Sequence, residues 1–231
     1  KFAQKAEGIK RIGVLRADVD NLGQTFVAGF AGKYATLSRT AALSRQLSIF
    51  FKYYIRSILK NGEYHIDGEK KLTERNATIV YSGGDDVFIV GAWNEVIELS
   101  IDLQEKFKKY TQGTLSISSG IGIYECTYPI GAIANETGEM EAESKRMPEK
   151  DSVTFMDDGE THLINELEIC DGTYRWEELY KSVLGEKYDV IQDFLGESDE
   201  RGMSFLYRML ELIRNQKEKI NFASFFYLLS R

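Results

Sequence analysis

Three features of the 231-residue sequence predict an α+β fold in two parts. Strand-like and helix-like segments alternate up to about Met156, acidic residues gather at two strand ends, and from Thr161 onward every segment reads as helix. The boundary falls between residues 158 and 159, giving a mixed domain over 1–158 and a small all-helical domain over 159–231.

The first strand is "KRIGVLRADVD". Ile12, Val14 and Leu15 are apolar without strict alternation, as in a buried central strand, and the strand ends in carboxylates at Asp18 and Asp20. From Arg39 to Lys60, residues Leu43, Leu47, Phe50, Phe51, Tyr54, Ile58 and Leu59 recur mostly three and four apart, an amphipathic helix stopped at Asn61-Gly62. "EYHI" and "DGEKKLTERN" read as a short strand or turn and a solvated loop. "ATIVYSGGDDVFIVGAW" is two β-rich runs around a Gly/Asp turn, the signature of a hairpin. A helix follows, with Asn94 as N-cap, Val96, Ile97, Leu103, Phe107 and Tyr110 at helical spacing, and Gly113 past its end. "TLSISSGIGIYE" is a strand, Pro129 to Lys145 a third helix and "DSVTFM" a last strand. The order β-α-β-β-α-β-α-β predicts a ferredoxin-like palm with its helices on one face of the sheet. "HLINELEI", "RWEELYKSVLG", "KYDVIQDFLG", "FLYRMLELIRNQKEKI" and "FASFFYLLSR" make up the helical domain.

Composition narrows the function classes. With 43% hydrophobic and 12% aromatic residues the chain can bury a core, and no apolar run approaches the roughly 18 residues of a membrane span. It opens at Lys1 with neither initiator methionine nor apolar leader, which reads as the cut edge of a longer polypeptide. Cys126 and Cys170 stand far apart with no Cys/His cluster, so zinc is not expected, and reduced thiols in a cytoplasmic protein are. His65 and His162 lie in unrelated elements, which leaves a Ser-His-Asp hydrolase without support. A net charge of −7 argues against a general nucleic-acid surface. A phosphate ligand must then be held locally, by metals, backbone N–H groups or a few lysines.

The carboxylates supply the chemistry. In an antiparallel palm the first strand lies beside the hairpin, so Asp18 and Asp20 converge with Asp85 and Asp86 of "SGGDD". Such a cluster repels itself unless cations sit within it. Mg²⁺ is typically held by one or two carboxylates plus substrate phosphates, and a two-metal site could activate a hydroxyl and stabilise a leaving pyrophosphate. Gly83 and Gly84 would let a nucleotide approach the backbone. The bland readings are a simple turn for Gly-Gly-Asp and an N-cap for Asp18 or Asp20; neither calls for both acidic ends together. Backbone N–H groups of Asn21 to Gly23, opening the next helix in "DNLGQTF", could cradle a triphosphate. Lys145, Arg146 and Lys150 are the nearest cations for its β- and γ-phosphates, or else ordinary helix C-terminal charges.

"LRADVDNLGQTFVAGF", "IVYSGGDDVFIVGAW" and "MLELIRNQKEKINFASFFYLLSR" resemble the second palm and the start of the C-terminal helical domain of the large signature subunit of type III CRISPR effector complexes, most of all the Csm (III-A) kind. The combination "DVDNLG" plus "SGGDD" carries the resemblance; a GGD turn alone would also suit the GGDEF diguanylate cyclases. It implies a nucleotidyltransferase that joins ATP into cyclic oligoadenylates when the complex holds target RNA. By that resemblance Asp18, Asp85 and Asp86 are catalytic and, with Val19, form the metal set for Mg²⁺ or Mn²⁺. ATP would be bound by Asp20, Asn21, Leu22, Gly23, Ser82, Gly83, Gly84, Lys145 and Lys150, although Pro148 in "KRMPEKDSV" interrupts the family's run. The implied partners are ATP, the other subunits of the complex, crRNA and target RNA through it, and a sister palm. The family's HD nuclease domain, first palm and zinc-bearing insert lie outside this sequence, so the chain alone is expected to lack DNase activity and to bind ATP better than it cyclises it. A non-catalytic scaffold palm and a diguanylate cyclase are the alternatives.

Overall fold

The computed structural model describes residues 1–30, 32–68, 71–156, 159–196, 207–208 and 210–211. The chain divides into two compact units, Lys1–Lys181 and Ser182–Arg231. The mixed unit thus runs past the expected boundary at residue 158, and the reason lies in its sheet.

The first unit opens with the short helix α1 (Phe2–Lys5) and the central strand β1 (Ile12–Val19), followed by α2 (Leu22–Ala28), α3 (Leu37–Ile49) and α4 (Ile55–Lys60). Then come the hairpin β2 (Ala77–Ser82) and β3 (Asp86–Ala92), α5 (Trp93–Tyr110), β4 (Ile117–Tyr124), α6 (Ile130–Ser144) and β5 (Ser152–Phe155). β6 (Thr161–Ile164), β7 (Leu167–Cys170), β8 (Thr173–Arg175) and the single turn α7 (Trp176–Glu178) complete it. The main sheet has the order β2-β3-β1-β4-β5-β8. Its first four strands carry the ferredoxin-like pairing, β1 running antiparallel to both β3 and β4. β5 lies parallel to β4, which requires the crossover that α6 supplies.

Side-chain alternation along β1 sorts the helices. A Cβ on Gly13 would stand 2.7 Å from the Cα of Trp93, so the odd-numbered residues Gly13, Leu15, Ala17 and Val19 face α5. Val14 on the other face packs with Tyr124 and with Ile133 of α6. The single-face expectation is therefore corrected: α5 covers the odd-numbered face of β1, and α6 packs on the opposite one. α6 lies close there: a Cβ on Gly120 would meet the Thr137 carbonyl oxygen at 2.5 Å and the Glu141 nitrogen at 2.6 Å.

Between α3 and α4 the winding continues through a π-wound turn, Phe50–Tyr54, so the expected long helix is one rod with a widened turn. There Phe50 and Phe51, adjacent in sequence, both contact Phe107 of α5, with ring centroids 5.1 and 5.8 Å apart. All three are fully buried, and each ring contributes roughly 2–3 kcal/mol of apolar burial. Asn94 is not the N-cap of α5: the helix starts directly after β3 with Ala92 at the cap, and the Asn94 Oδ1 instead accepts from the Glu7 N–H at 3.3 Å. Gly113 does follow the helix, at φ +71.

The segment "HLINELEI" is a hairpin, not a helix. Its apolar residues 163, 164, 167 and 169 fit both periods, and what decides is the turn. Asn165 and Glu166 both take positive φ, 50 and 68, which closes a two-residue loop whose twist matches paired strands. β8 then joins β5, and the buried Trp176 donates its indole N–H to the Ile117 carbonyl at 2.8 Å. In the second unit α8 (Tyr188–Gly196) matches the expected helix "KYDVIQDFLG". The helices expected in "FLYRMLELIRNQKEKI" and "FASFFYLLSR" lie outside the described residues, except residues 207–208 and 210–211, which are helical. Among the described residues no helix is long and apolar enough to cross a membrane.

Candidate active site

The acidic strand ends meet at one end of the sheet. Asp18, the seventh residue of β1, is the cross-strand partner of Asp86, the first residue of β3. One step further the Val19 N–H donates to the Asp85 carbonyl at 3.1 Å, which locks the turn to the end of β1. The turn needs its glycines: a Cβ on Gly83 would overlap the Asp86 carboxylate and stand 2.7 Å from the Tyr81 hydroxyl. Gly84 has room, its nearest neighbour being the Ser48 hydroxyl at 3.7 Å.

Lys145, the C-cap of α6, reaches this cluster. Its ammonium donates to Asp18 Oδ2 and pairs with Glu141 Oε1 at 2.6 Å. Burial pulls the ammonium pKa down, but the hydrogen bonds to Asp18 and Glu141 outweigh burial and leave it raised. Burial raises the Asp85 pKa, the charges of Asp18 and Asp86 raise it further, and Lys145 opposes them only in part.

The remaining expected ligands separate into groups. Asn21 caps α2 in the left-handed region at φ 53, and its Oδ1 accepts from Lys150 Nζ at 2.8 Å, so these two residues are brought together. Leu22 and Gly23 open the same helix, and a Cβ on Gly23 would meet nothing within 4 Å. Asp20 is placed elsewhere. It is 3% exposed, and its Oδ2 accepts from the Ser116 hydroxyl at 2.7 Å and the Asp151 N–H at 3.2 Å, while Oδ1 has no protein partner. Ser82 also turns inward, its hydroxyl donating to the Phe51 carbonyl at 2.6 Å. Arg146 pairs with Glu143 at 2.7 Å, away from the carboxylates.

Sequence reading missed Glu141 and Arg16. Arg16 Nε meets Glu141 Oε2 at 2.9 Å, so Glu141 uses one oxygen for each cation. The spacing held the signal: Arg16 and Asp18 share one face of a strand, and Glu141 and Lys145 stand four apart on a helix.

Among the described residues no three His, Cys, Asp or Glu side chains gather into a complete cation cage. The donor set nevertheless fits a cation of the Mg²⁺ kind, which needs few protein carboxylates and completes its shell with phosphates and water. Asp18 and Asp86 are adjacent, Asp85 lies in the adjoining turn, and the Gly83 position leaves space that the Asp86 carboxylate occupies.

Comparison with known proteins agrees with this architecture. Residues 11–154 match the family model for Cas10/Cmr2, second palm domain, and residues 192–231 match that for the CRISPR RNA silencing complex Cmr2 subunit, second helical domain. The CRISPR system single-strand-specific deoxyribonuclease Cas10/Csm1 (subtype III-A) of Mycobacterium tuberculosis is 44% identical over 235 residues, covering 100% of this chain and 28% of its own length. The chain therefore spans little more than a quarter of that relative. A crystal structure of a Csm1-Csm4 cassette in complex with one ATP superposes with a TM-score of 0.65 at 28% identity, over 78% of this chain and 25% of that one. A Csm1-Csm4 cassette in complex with pppApA gives a TM-score of 0.69 at 26% identity, over 95% and 31%.

Proposed function

We propose, since the chain belongs to the Cas10/Cmr2 family and carries its second palm domain, that the Asp18, Asp85 and Asp86 cluster is an ATP-using nucleotidyltransferase site of a type III CRISPR complex. With a sister palm in the full-length polypeptide it joins ATP into cyclic oligoadenylates. The observation that carries this reading is the pairing of Asp18 with Asp86 across β1 and β3, with Asp85 in the adjoining turn. The neighbours bound to ATP and to pppApA support the same chemistry, one as substrate and one as a short adenylate chain.

Asp18, Asp85, Asp86 and the Val19 carbonyl would hold Mg²⁺ or Mn²⁺, which when bound lowers the pKa of a ribose 3′-hydroxyl and offsets charge on the departing pyrophosphate. The chain's own residues do the placing. Gly84 leaves the turn open enough for a nucleotide to lie against it, Gly83 gives its space to the Asp86 carboxylate, and Asn21, Leu22 and Gly23 present backbone N–H groups at the opening of α2. Lys145 and Lys150, on the approach to β5, offer positive charge to the phosphates. The 3′-oxygen of one ATP attacks the α-phosphorus of another, a 3′–5′ phosphodiester forms, the bond to pyrophosphate breaks, and the hydroxyl proton passes to solvent. Other subunits, crRNA and target RNA act on this site through the complex.

Calorimetric titration of ATP into the full-length subunit, with and without Mn²⁺, tests the reading. Metal-dependent binding that is lost in Asp85→Ala/Asp86→Ala supports it. Binding and oligoadenylate synthesis unchanged in that variant refute it in favour of a scaffold, and preference for GTP over ATP turns it toward a diguanylate cyclase.

A further inference from the structure

Four charges alternate along the groove between β1 and α6: Arg16, Glu141, Lys145 and Asp18. Two come from the strand and two from the helix, and their spacings match. Residues i and i+2 of a strand lie about 6.6 Å apart, and i and i+4 of a helix rise about 6 Å, so the two pairs interleave. Glu141 is the central link: Oε2 takes Arg16 Nε at 2.9 Å, Oε1 takes Lys145 Nζ at 2.6 Å, and Lys145 goes on to Asp18. The Glu141 side chain is 10% exposed, so water offers these cations little substitute for it. Two glycines make the approach possible. A Cβ on Gly120 would collide with the Glu141 backbone, and one on Gly138 would stand 2.7 Å from an Arg16 guanidinium nitrogen.

This arrangement contains a competition. Lys145 already holds the carboxylate that the proposed function gives to a divalent cation, so the cation and the lysine contend for Asp18. Once Asp18 is claimed, Lys145 faces the arriving positive charge and keeps one carboxylate partner, Glu141. We propose that Glu141 is a positioning residue, retaining Lys145 beside the site when a divalent cation displaces it from Asp18 and thereby keeping the ammonium within reach of a bound triphosphate. Arg16 holds Glu141 in turn, fixing each of its oxygens to one cation. Without Glu141 the two cations press on Asp18 instead, opposing the metal and leaving the displaced lysine unanchored.

The inference rests on the reading of Asp18 as a cation ligand, and a double-mutant cycle read by Mn²⁺ binding keeps the two apart. Free Mn²⁺ is measured by electron paramagnetic resonance on the full-length subunit without nucleotide, and ATP affinity separately, in Glu141→Gln, Lys145→Met, the double variant and Asp18→Asn. Lys145→Met removes the competitor, so Mn²⁺ should bind about fivefold tighter or more while ATP binds more weakly. Glu141→Gln should weaken both by about fivefold, and its effect on Mn²⁺ should shrink below about twofold when Lys145 is already Met. A wholly structural Glu141 would lower the melting temperature without this coupling. The positioning role is overturned if Lys145→Met weakens Mn²⁺ binding, or if Glu141→Gln acts equally with and without Lys145. Should Glu141→Gln fail to fold, Glu141→Asp takes its place in the same cycle, and its shorter reach should weaken Mn²⁺ and ATP binding only while Lys145 is present. Should Asp18→Asn leave Mn²⁺ binding intact, the metal reading itself falls and the inference with it.

Discussion

Asp18 and Asp86 stand directly opposite each other across the β1–β3 ladder, two like charges at a position where paired side chains are neighbours. Such a pairing disfavours the fold unless something positive is shared between them, and Lys145 serves Asp18 in that role here. Asp86→Asn should therefore leave the thermal midpoint unchanged or raise it by a few degrees, while lowering oligoadenylate synthesis by at least about 100-fold. Differential scanning fluorimetry and product analysis by mass on the same preparations check both. A large loss of stability would mean that Asp86 holds the fold rather than the chemistry.

The link between fold and site runs through Gly120. Its missing side chain lets α6 sit against β4 with Thr137 O and Glu141 N where a methyl group would be. Gly120→Ala must lift α6 by several tenths of an ångström, which carries Glu141 and Lys145 away from Asp18. The expected cost is about 1–3 kcal/mol in denaturant unfolding, together with weakened ATP binding. Gly131→Ala in the same helix meets nothing within 4 Å and is the control: it should leave ATP binding unchanged and raise stability by up to about 1 kcal/mol through helix propensity.

A buried ion network fixes the far side of α5. Arg75, 4% exposed, donates to Glu98, to Asp102 at 2.9 Å and to the Tyr64 carbonyl. Asp102 also accepts from the Tyr64 N–H at 2.9 Å. Arg75→Ala would strand two buried carboxylates, and the expected loss is about 3–5 kcal/mol by chemical denaturation. Arg75→Met together with Asp102→Asn and Glu98→Gln removes the stranded charges and should recover most of it.

Glu98 gives that network a pH dependence. Burial raises its pKa above the ordinary 4.5, and the Ile66 N–H and the Arg75 guanidinium offset burial only in part. The group binds its proton more tightly folded than unfolded. Its contribution is present below the unfolded value and is lost as pH rises through the folded one. Measured from pH 4 upward, wild type should therefore lose stability relative to Glu98→Gln and then run parallel to it. A difference that grows in favour of wild type would mean that the ion pair outweighs burial.

What was legible in the sequence follows from how local each signal is. Asp18, Asp85 and Asp86 could be brought together because strand order and a Gly-Gly turn are readable from pattern, and the register then follows. Glu141 and Arg16 were not, since their roles exist only once α6 has crossed the sheet and two glycines have let it close. Asp20 shows the limit from the other direction: chain neighbourhood put it beside Asp18, but the bonds to Ser116 and Asp151 draw it into the interior. In "HLINELEI" helical and strand periods fit equally, and backbone angles at Asn165 and Glu166 decided what apolar spacing could not.

Ser82 separates a nucleotide contact from a structural one. By position it belongs to the glycine turn and was expected to touch ATP, yet its hydroxyl donates to the Phe51 carbonyl at 2.6 Å, inside the π-wound turn. A carbonyl there lacks a regular helical partner spacing, and the hydroxyl ties it to the edge strand β2. Ser82→Ala should cost about 1 kcal/mol in unfolding, the usual net value of one such bond, and leave the dissociation constant for ATP within about twofold. Gly84→Val, at a position with open space in front of the turn, should do the reverse: little change in stability and a loss of ATP affinity of tenfold or more, about 1.4 kcal/mol. If Ser82→Ala weakens ATP as much as Gly84→Val does, the hydroxyl leaves Phe51 for the nucleotide on binding, and the turn moves with it.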